Sequence, residues 1–225
     1  MKFISKYPPN TWDWDRMNSV DFKNWASHSG VSYELIDRWK LQNKFTKVLD
    51  LGTGLGRNAR VLGRYGFDVR GLDIDANALK YARTINEMDN ILNVSYDLGD
   101  MLNMPYGDNS FDAVFADNIV YLTYYDAMCR AVSEIHRVLR SNGEVFLKLL
   151  NSSCDYFRGK KRIDPHSIKC QAQYGTHQVT VCGIAYNDLP QIMSNFELID
   201  ITGQVHGYVP ENHEFLILAR AIKTK

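Results

Sequence analysis

The chain has 225 residues, of which 45% are hydrophobic, and its 26 Lys and Arg residues balance its 26 Asp and Glu residues. This length and composition are typical of a globular protein that can bury a sizeable core. The balanced charge weighs against a nucleic-acid partner, because binding to phosphates requires a net basic surface. The densest group of cations runs from Arg158 to Arg162 and is the one feature that favours such a partner.

Targeting and metal-binding signals are weak in this sequence. The first residues lack the apolar stretch of a signal peptide, and no apolar run approaches the roughly 20 residues needed to cross a bilayer. We therefore expect a cytoplasmic location without membrane contact. We also expect no bound metal, because no Cys or His spacing fits a zinc motif. Reduced thiols are expected at the four widely spaced cysteines, which are Cys129, Cys154, Cys170 and Cys182.

The amino-terminal segment, residues 1–43, is rich in aromatic side chains. Helical periodicity covers residues 20–41, and Gly30 is expected to interrupt it. Trp12 and Trp14 lie in a polar stretch that does not resemble a helix face. They indicate either a lid over a ligand site or ordinary packing, and the sequence does not decide between the two. The segment contains all four tryptophans, which are Trp12, Trp14, Trp25 and Trp39.

From residue 44 onward, short apolar runs alternate with helical patterns. Helices are expected at 58–65, 76–88, 124–139 and 187–194, and strands at 47–51, 68–73, 94–96, 111–116, 144–150, 196–201 and 214–219. This alternation predicts a doubly wound, mostly parallel seven-stranded sheet with helices on both faces. Residues 151–185 are polar and irregular. We expect them to form an insertion within one domain that spans residues 44–225.

The turn after the first strand is the most informative stretch, because Gly52, Gly54 and Gly56 alternate there with other residues. Glycine lets the backbone approach a ligand closely, and the helix that follows presents its amino end to polar groups. The spacing differs from the G-x-G-x-x-G that binds a pyrophosphate. Asp50 ends the strand before the turn and suits a cationic ligand. Asp73 closes the next strand, from which a carboxylate can accept both hydroxyls of a ribose.

These residues resemble the class I, Rossmann-like methyltransferases that use S-adenosylmethionine, and in particular their small-molecule branch. The resemblance extends from about Val48 to Leu149 and implies S-adenosylmethionine as the cofactor. Its ammonium and sulfonium groups match the acidic Asp50. On positions that fit the family's motifs, the resemblance implies cofactor contacts at Asp50, Gly52, Thr53, Gly54, Gly56, Asn58, Asp73, Ile74, Asp100, Met101, Asp117 and Asn118.

Individual motifs of the family refine these assignments. Asp100 and Met101 match the place where the adenine is contacted. The segment from Asp117 to Leu122 matches the strand end that faces the methyl group. Residues 109–114 resemble the approach to the fourth strand, and Asp112 within them is expected to be a structural carboxylate. Residues 137–144 resemble the turn before the fifth strand, with Asn142 in place of the family's first glycine.

Candidate catalytic residues follow from where open parallel sheets place their ligands, at the carboxyl end of the central strands. Asp117 and Tyr121 are the candidates there. His177 is a third, from the late loops that form the acceptor side in similar enzymes. A base is required only for a weakly acidic acceptor such as an alcohol or a phenol. A thiolate or a neutral amine needs little more than positioning, so methylation of O, N or S stays open.

The same region narrows the class of acceptor. The segment from Asp117 to Tyr121 lacks the paired prolines shared by enzymes that methylate exocyclic amines of nucleic acids. Cys154 lacks the Pro-Cys or Thr-Cys context of pyrimidine C5 enzymes. A small-molecule acceptor is therefore the first expectation, and a nucleic-acid partner is not expected. The alternatives are a protein or RNA methyltransferase, a non-catalytic partner subunit that binds S-adenosylmethionine, and a nicotinamide oxidoreductase. The sequence does not indicate the oligomeric state.

Overall fold

The structure is a computed structural model that describes Lys23, Ala26 and residues 30–154, 157–171, 178–205 and 213–223. For residues 203–205 and 213–214 it describes the backbone. Three residues singled out in the sequence, Trp12, Trp14 and His177, lie outside the described residues. The lid predicted for the amino-terminal segment and the catalytic role of His177 therefore stay predictions.

One mixed sheet organises the described part of the chain. Strands β1 to β5 run parallel in the order β3-β2-β1-β4-β5, β9 pairs antiparallel with β5, and β8 pairs with β9. These seven strands are the predicted ones, and the mostly parallel, doubly wound sheet is confirmed. The strands are β1 (Lys47–Leu51), β2 (Asp68–Asp73), β3 (Val94–Leu98), β4 (Phe111–Ala116), β5 (Leu139–Asn151), β6 (Ser167–Gln171), β7 (Gln178–Ile184), β8 (Phe196–Val205) and β9 (His213–Ala221).

Helices cover both faces of this sheet. Val114 and Ala116 of β4 pack into the core beneath α4 and α5, whereas Ala113 and Phe115 pack into the core beneath α1, α2 and α3. This alternation buries both faces, as a central parallel strand requires. The helices are α1 (Tyr33–Asp37), which continues as one π-helical turn (Arg38–Gln42), α2 (Arg57–Arg64), α3 (Ala76–Met88), α4 (Tyr125–Val138) and α5 (Leu189–Ile192).

The insertion is more regular than the sequence predicts. β6 and β7 form an antiparallel hairpin, and Gly183 and Ile184 of β7 pair in parallel with the last residues of β5. Side chains alternate between buried and exposed along β6, with Ile168 and Cys170 buried and Lys169 exposed. This period of two marks a strand, but polar neighbours hide it in the sequence. The prediction of an irregular segment is therefore wrong for residues 167–171 and 178–184, and the sheet has two more strands than predicted.

The described part of the amino-terminal segment is anchored by a buried carboxylate. Glu144, near the start of the apolar stretch of β5, is fully buried. Arg38 donates to its two oxygens at 2.8 and 2.6 Å, and the indole nitrogen of Trp39 donates at 3.2 Å. Arg220 of β9 approaches to 3.4 Å. These contacts fix the end of the amino-terminal segment to the amino-terminal half of β5.

Candidate functional site

The turn between β1 and α2 has a left-handed backbone at its three glycines. The φ angle is 68° at Gly52, 52° at Gly54 and 74° at Gly56. A Cβ atom at Gly52 would lie 2.3 Å from the side chain of Ile119, and one at Gly56 would lie 2.3 Å from the hydroxyl of Tyr96. Side chains are thus excluded at both positions by strain and by space. The turn predicted from the glycine spacing has the backbone shape that only glycine adopts readily.

Asp50 is buried and holds this turn in place through hydrogen bonds. One of its oxygens accepts hydrogen bonds from the hydroxyl of Thr53 at 2.6 Å and from the backbone of Ala59 at 3.0 Å. Only 1% of the residue is exposed. Burial raises the pKa of this carboxyl to about 7, against the opposing effect of its hydrogen bonds and of Arg57. The predicted contact of Asp50 with a cationic ligand stays a prediction, to which the structure adds a role in holding the turn.

Asp73 joins the end of β2 to the middle of the same turn. Its two oxygens accept hydrogen bonds from the backbone of Gly54 at 2.8 Å and of Asp75 at 2.9 Å. Each carboxylate oxygen has a second lone pair, so the group can accept further hydrogen bonds. Asp73 is half-buried, and burial raises its pKa to about 6. A carboxylate with spare acceptor capacity therefore lies against the central glycine, as the prediction of a ribose contact requires.

The third acidic residue at this edge, Asp100, follows the end of β3. Asp100 is buried, and its Oδ1 accepts a hydrogen bond from the backbone of Leu102 at 2.9 Å. The backbone of Gly99 donates to the carbonyl of Asp73 at 2.8 Å. Because β1, β2 and β3 are parallel neighbours, their carboxyl ends meet at one edge. The structure thus places Asp73 beside the glycine turn and Asp100 next to the end of β2, with Ile74 and Met101 half-buried.

Asp117, directly after β4, lies between two cations. Its carboxylate is 3.1 Å from Nη2 of Arg57 and 2.9 Å from Nζ of Lys148, and only 3% of its side chain is exposed. A Cβ atom at Gly30 would lie 2.6 Å from Asp117 Oδ2, so the amino-terminal segment passes close to this carboxylate. Both oxygens of Asp117 therefore form ion pairs. The role of Asp117 as a catalytic base stays a prediction.

The segment that follows Asp117 joins the end of β4 to the insertion. Asn118 has a left-handed backbone with a φ of 58°, and its side-chain oxygen accepts a hydrogen bond from the Tyr121 hydroxyl at 2.8 Å. The carbonyl of Tyr121 accepts a hydrogen bond from the backbone of Cys182 in β7, also at 2.8 Å. The structure therefore brings together the two predicted residues Asn118 and Tyr121 and ties them to the β6–β7 hairpin.

Part of this chain matches a known protein family. Residues 49–147 match the family model described as the Methyltransferase domain. Residues 49–147 therefore resemble the Methyltransferase domain family. The family resemblance seen in the sequence is confirmed over this range, which contains the glycine turn and the three strand-end acidic residues Asp73, Asp100 and Asp117.

Two curated relatives resemble the methyltransferase domain in sequence. Methyltransferase GfsG from Streptomyces halstedii is 36% identical over 102 residues, which cover 44% of this chain and 36% of that protein. Malonyl-[acyl-carrier protein] O-methyltransferase from Pectobacterium atrosepticum is 29% identical over 181 residues, which cover 73% of this chain and 68% of that protein. The match thus spans about a third of the first relative and about two thirds of the second.

A solved structure supports the fold. An S-adenosylmethionine-dependent methyltransferase from Methanosarcina mazei superposes with a TM-score of 0.72 and covers 85% of this chain and 98% of its own. The two chains are 18% identical. A likeness at this identity shows a shared fold, and the Rossmann-like architecture expected of the methyltransferase domain is confirmed.

The helix that follows the glycine turn also holds the amino-terminal segment. The side-chain oxygen of Asn58 accepts a hydrogen bond from the backbone of Gly30 at 3.0 Å. The guanidinium of Arg60 donates to the carbonyl of Leu55 at 2.6 Å and also to the carbonyl of Ala26. Asn58 is therefore buried beneath the segment. Its predicted contact with the cofactor stays a prediction beside this observed contact with the backbone.

Asp112 has the structural role expected of it. It accepts hydrogen bonds from the backbones of Thr46 at 2.7 Å and Lys47 at 3.0 Å, and it pairs with Arg140 at 2.9 Å. Burial alone would raise its pKa, but these hydrogen bonds and the arginine outweigh burial and lower it. The residue thus ties the start of β1 to the start of β4, at the end of the sheet opposite the glycine turn.

Sequence reasoning missed Arg57 and Lys148, the two partners of Asp117. Lys148 carried a usable signal, because it is the one charged residue in the apolar run 145–150 of β5. A lysine is almost never fully buried unless it is paired with an acidic group. Arg57 follows the last glycine of the turn directly, but nothing in the sequence indicates its distance from the end of β4.

The described residues contain neither a cluster that could hold a metal ion nor a helix that could span a membrane. Within them, no group of three or more His, Cys, Asp and Glu side chains is placed to hold a metal ion. Likewise, none of the helices described is both long enough and apolar enough to span a bilayer.

Proposed function

We propose that this chain transfers a methyl group from S-adenosylmethionine to an O, N or S atom of a small-molecule acceptor. The observation that carries the proposal is the hydrogen bond between the Asp73 carboxylate and the backbone of Gly54. It joins the end of β2 to the centre of a left-handed glycine turn. The match of residues 49–147 to the Methyltransferase domain supports the same activity.

The residues present fit S-adenosylmethionine. The turn has no room for side chains at Gly52 and Gly56, because Ile119 and Tyr96 pack against it there. Asp73 retains acceptor capacity for the hydroxyls of a ribose, and Asp100 and Met101 follow at the next strand end, where the family places the adenine. The sulfonium of the bound cofactor supplies an activated methyl group. The protein then has to bind the cofactor, align the acceptor and exclude water.

The end of β4 provides the acceptor side in this proposal. Ion pairs to Arg57 and Lys148 hold Asp117 in place, and the segment that follows turns back at Asn118. The Tyr121 hydroxyl donates a hydrogen bond to Asn118, and a hydroxyl oxygen can also accept hydrogen bonds. Tyr121 would thus orient an acceptor, and His177 is the further candidate for a base.

The acceptor class in this proposal includes small groups carried on proteins. The name of the Pectobacterium relative gives a malonyl group on an acyl-carrier protein as its acceptor. The cytoplasmic location is also part of the proposal. None of Cys129, Cys154, Cys170 and Cys182 forms a disulfide, which accords with a reducing compartment.

Turnover tests this proposal. The purified chain is incubated with S-adenosylmethionine and a panel of thiols, phenols, amines and carboxylic acids, and mass spectrometry detects S-adenosylhomocysteine and the methylated product. Product formation with one small acceptor is expected. Product with a peptide or RNA mixture but with no small acceptor would contradict the small-molecule class. Binding of the cofactor without turnover on any of these would favour the partner-subunit alternative.

A further inference from the structure

The insertion concentrates the positive charge of an otherwise balanced chain. Residues 151–185 contain five Lys and Arg residues against two Asp residues, a net charge of +3, and the rest of the neutral chain carries −3. All five cationic side chains are exposed. The apolar side chain of Ile163, which follows Arg162, is 43% exposed. We call the segment with four of these cations the basic surface, which consists of Arg158, Lys160, Lys161, Arg162 and Ile163.

The basic surface has a defined shape. The guanidinium of Arg162 donates to the carbonyl of Pro165 at 2.9 Å and lies over the ring of Phe157, 5.4 Å from its centre. The backbone of Arg162 also pairs with Ile168 at the start of the hairpin. Phe157 and Ile168 are buried beneath it. A surface that is ordered before its partner arrives loses less conformational entropy on binding.

The basic surface adjoins the acceptor side of the site. The small core beneath it contains Phe157 and Ile168 together with Tyr121 from the end of β4. Tyr121 donates to Asn118, and the backbone of β7 donates to Tyr121. One layer of buried side chains therefore separates the basic surface from the residues that we propose to orient the acceptor.

We infer that the basic surface is a docking site for an acidic protein that presents the acceptor to the site, an inference that rests on the proposed function. Ile163 is an exposed apolar side chain next to a run of cations in the chain, and protein interfaces combine apolar contacts with a charged rim. Clustered cations steer an oppositely charged partner and raise its association rate. A nucleic acid is favoured less, because tight binding to phosphates requires a longer basic track.

Fluorescence anisotropy with three defined probes tests the choice of partner. The first probe is a labelled helical peptide with Glu and Asp on one face and a Leu at its centre. The second has Lys in place of every acid, and the third is a single-stranded RNA with the net charge of the first. The acidic peptide is expected to bind at least tenfold more tightly than either control, with an affinity that falls as salt rises. Tighter binding of the RNA would overturn the inference.

A pair of charge-matched variants tests the location. Lys160→Glu combined with Lys161→Glu should weaken binding of the acidic peptide at least tenfold. Lys44→Glu combined with Lys80→Glu changes the net charge equally at exposed positions elsewhere and should weaken it less than twofold. Ile163→Ala should weaken binding several-fold without changing the salt dependence. Equal losses in the two double variants would overturn the inference.

Titration of both double variants with S-adenosylmethionine separates this inference from the proposed function. Both should bind the cofactor as the unmodified chain does, because none of the four lysines lies among the predicted cofactor residues. If the cofactor fails to bind any of the three proteins while the contrast in peptide binding persists, the proposed function fails and the docking surface stands. If the cofactor binds all three and the contrast is absent, the docking surface fails alone.

Discussion

Two buried carboxylates on one face of the sheet are each held by two cations, but at opposite ends of the strands. Glu144 lies in the amino-terminal half of β5 and binds Arg38 and Arg220. Asp117 lies at the carboxyl end of β4 and binds Arg57 and Lys148. Lys148 lies four residues after Glu144 in β5, so the two side chains point to the same face of the sheet. One strand therefore contributes a residue to each cluster.

The partners of the two carboxylates explain the difference between the clusters. Glu144 holds the end of the amino-terminal segment and the last strand, and neither Arg38 nor Arg220 is among the predicted cofactor or catalytic residues. Asp117 holds Arg57, which directly follows the glycine turn. Parallel α/β sheets bind ligands at the carboxyl ends of their strands. We therefore expect the Glu144 cluster to serve stability and the Asp117 cluster to serve the site.

The largest expected effect is on stability at the Glu144 cluster. Glu144→Ala leaves Arg38 and Arg220 without their buried carboxylate and should destabilise the fold by about 3–5 kcal/mol. Denaturant unfolding measures this loss. The matched control is Glu197→Ala, which removes the exposed partner of Arg220 and should cost less than about 1 kcal/mol. Equal losses in the two variants would show that burial of Glu144 is not what matters.

The next effect is on cofactor binding at Asp73. Asp73→Ala should weaken the binding of S-adenosylmethionine by on the order of 1–3 kcal/mol, because charge-assisted hydrogen bonds are lost. The control is Asp75→Ala, which removes the side-chain cap of α3 and should lower stability by about 1 kcal/mol without weakening cofactor binding. Unchanged affinity in Asp73→Ala would refute the ribose contact.

A variant of Asp117, for which we expect a smaller effect, tests whether the two clusters have different roles. Asp117→Asn keeps the shape of the side chain but removes the charge between Arg57 and Lys148. We expect a several-fold loss of turnover or cofactor affinity and a smaller loss of stability than in Glu144→Ala. Calorimetric titration and denaturant unfolding of the same preparation give both values. A large loss of stability with full cofactor binding would assign both clusters to the fold.

The last expected effect is a pH dependence with opposite signs for binding and stability. The pKa of Asp73 is raised to about 6, so cofactor affinity should fall as pH drops below about 6, by at most tenfold per pH unit. The pKa of Asp50 is raised to about 7, above its unfolded value near 3.9. The folded state therefore binds more protons, and this group lowers stability as pH rises from about 4 to about 7.

The variant Asp50→Asn tests the pH dependence of stability separately from the pH dependence of cofactor affinity. It keeps an oxygen for the bonds to Thr53 and Ala59 but has no charge to bury. The variant should be more stable than the unmodified chain at pH 8, and this difference should shrink as pH falls toward 5. A difference in unfolding free energy that does not change with pH would contradict the raised pKa of Asp50.

The sequence predicts the stability-bearing elements and the cofactor turn better than the acceptor side. β1, β2, β4 and α3 follow from hydrophobic runs whose periods match strands and helices, and the glycine turn follows from backbone sterics. The β6–β7 hairpin was missed because polar residues interrupt its short apolar alternation. The contacts of Asp117 with Arg57 and Lys148 join positions that are 60 and 31 residues apart in the chain, and spacing along a chain does not indicate such distances.

The amino-terminal segment shows a second limit of the sequence. Helical periodicity predicted a helical pattern over residues 20–41 that Gly30 interrupts, and residues 33–42 form the short α1 and a π-helical turn. Trp39 is fully buried and bonded to Glu144, a tertiary contact that propensity cannot indicate. The alternatives of a lid or ordinary packing rest on Trp12 and Trp14, which lie outside the described residues, and they stay predictions. The described part of the segment is bonded to α2 and to β5.

The most direct test of the central claim is calorimetric titration of the purified protein with S-adenosylmethionine, S-adenosylhomocysteine and NADH, side by side. We predict micromolar binding of the first two, no binding of NADH, and weaker binding of both adenosyl ligands by Asp73→Ala. Binding of NADH alone would contradict the assignment of the glycine turn to S-adenosylmethionine and would indicate an oxidoreductase.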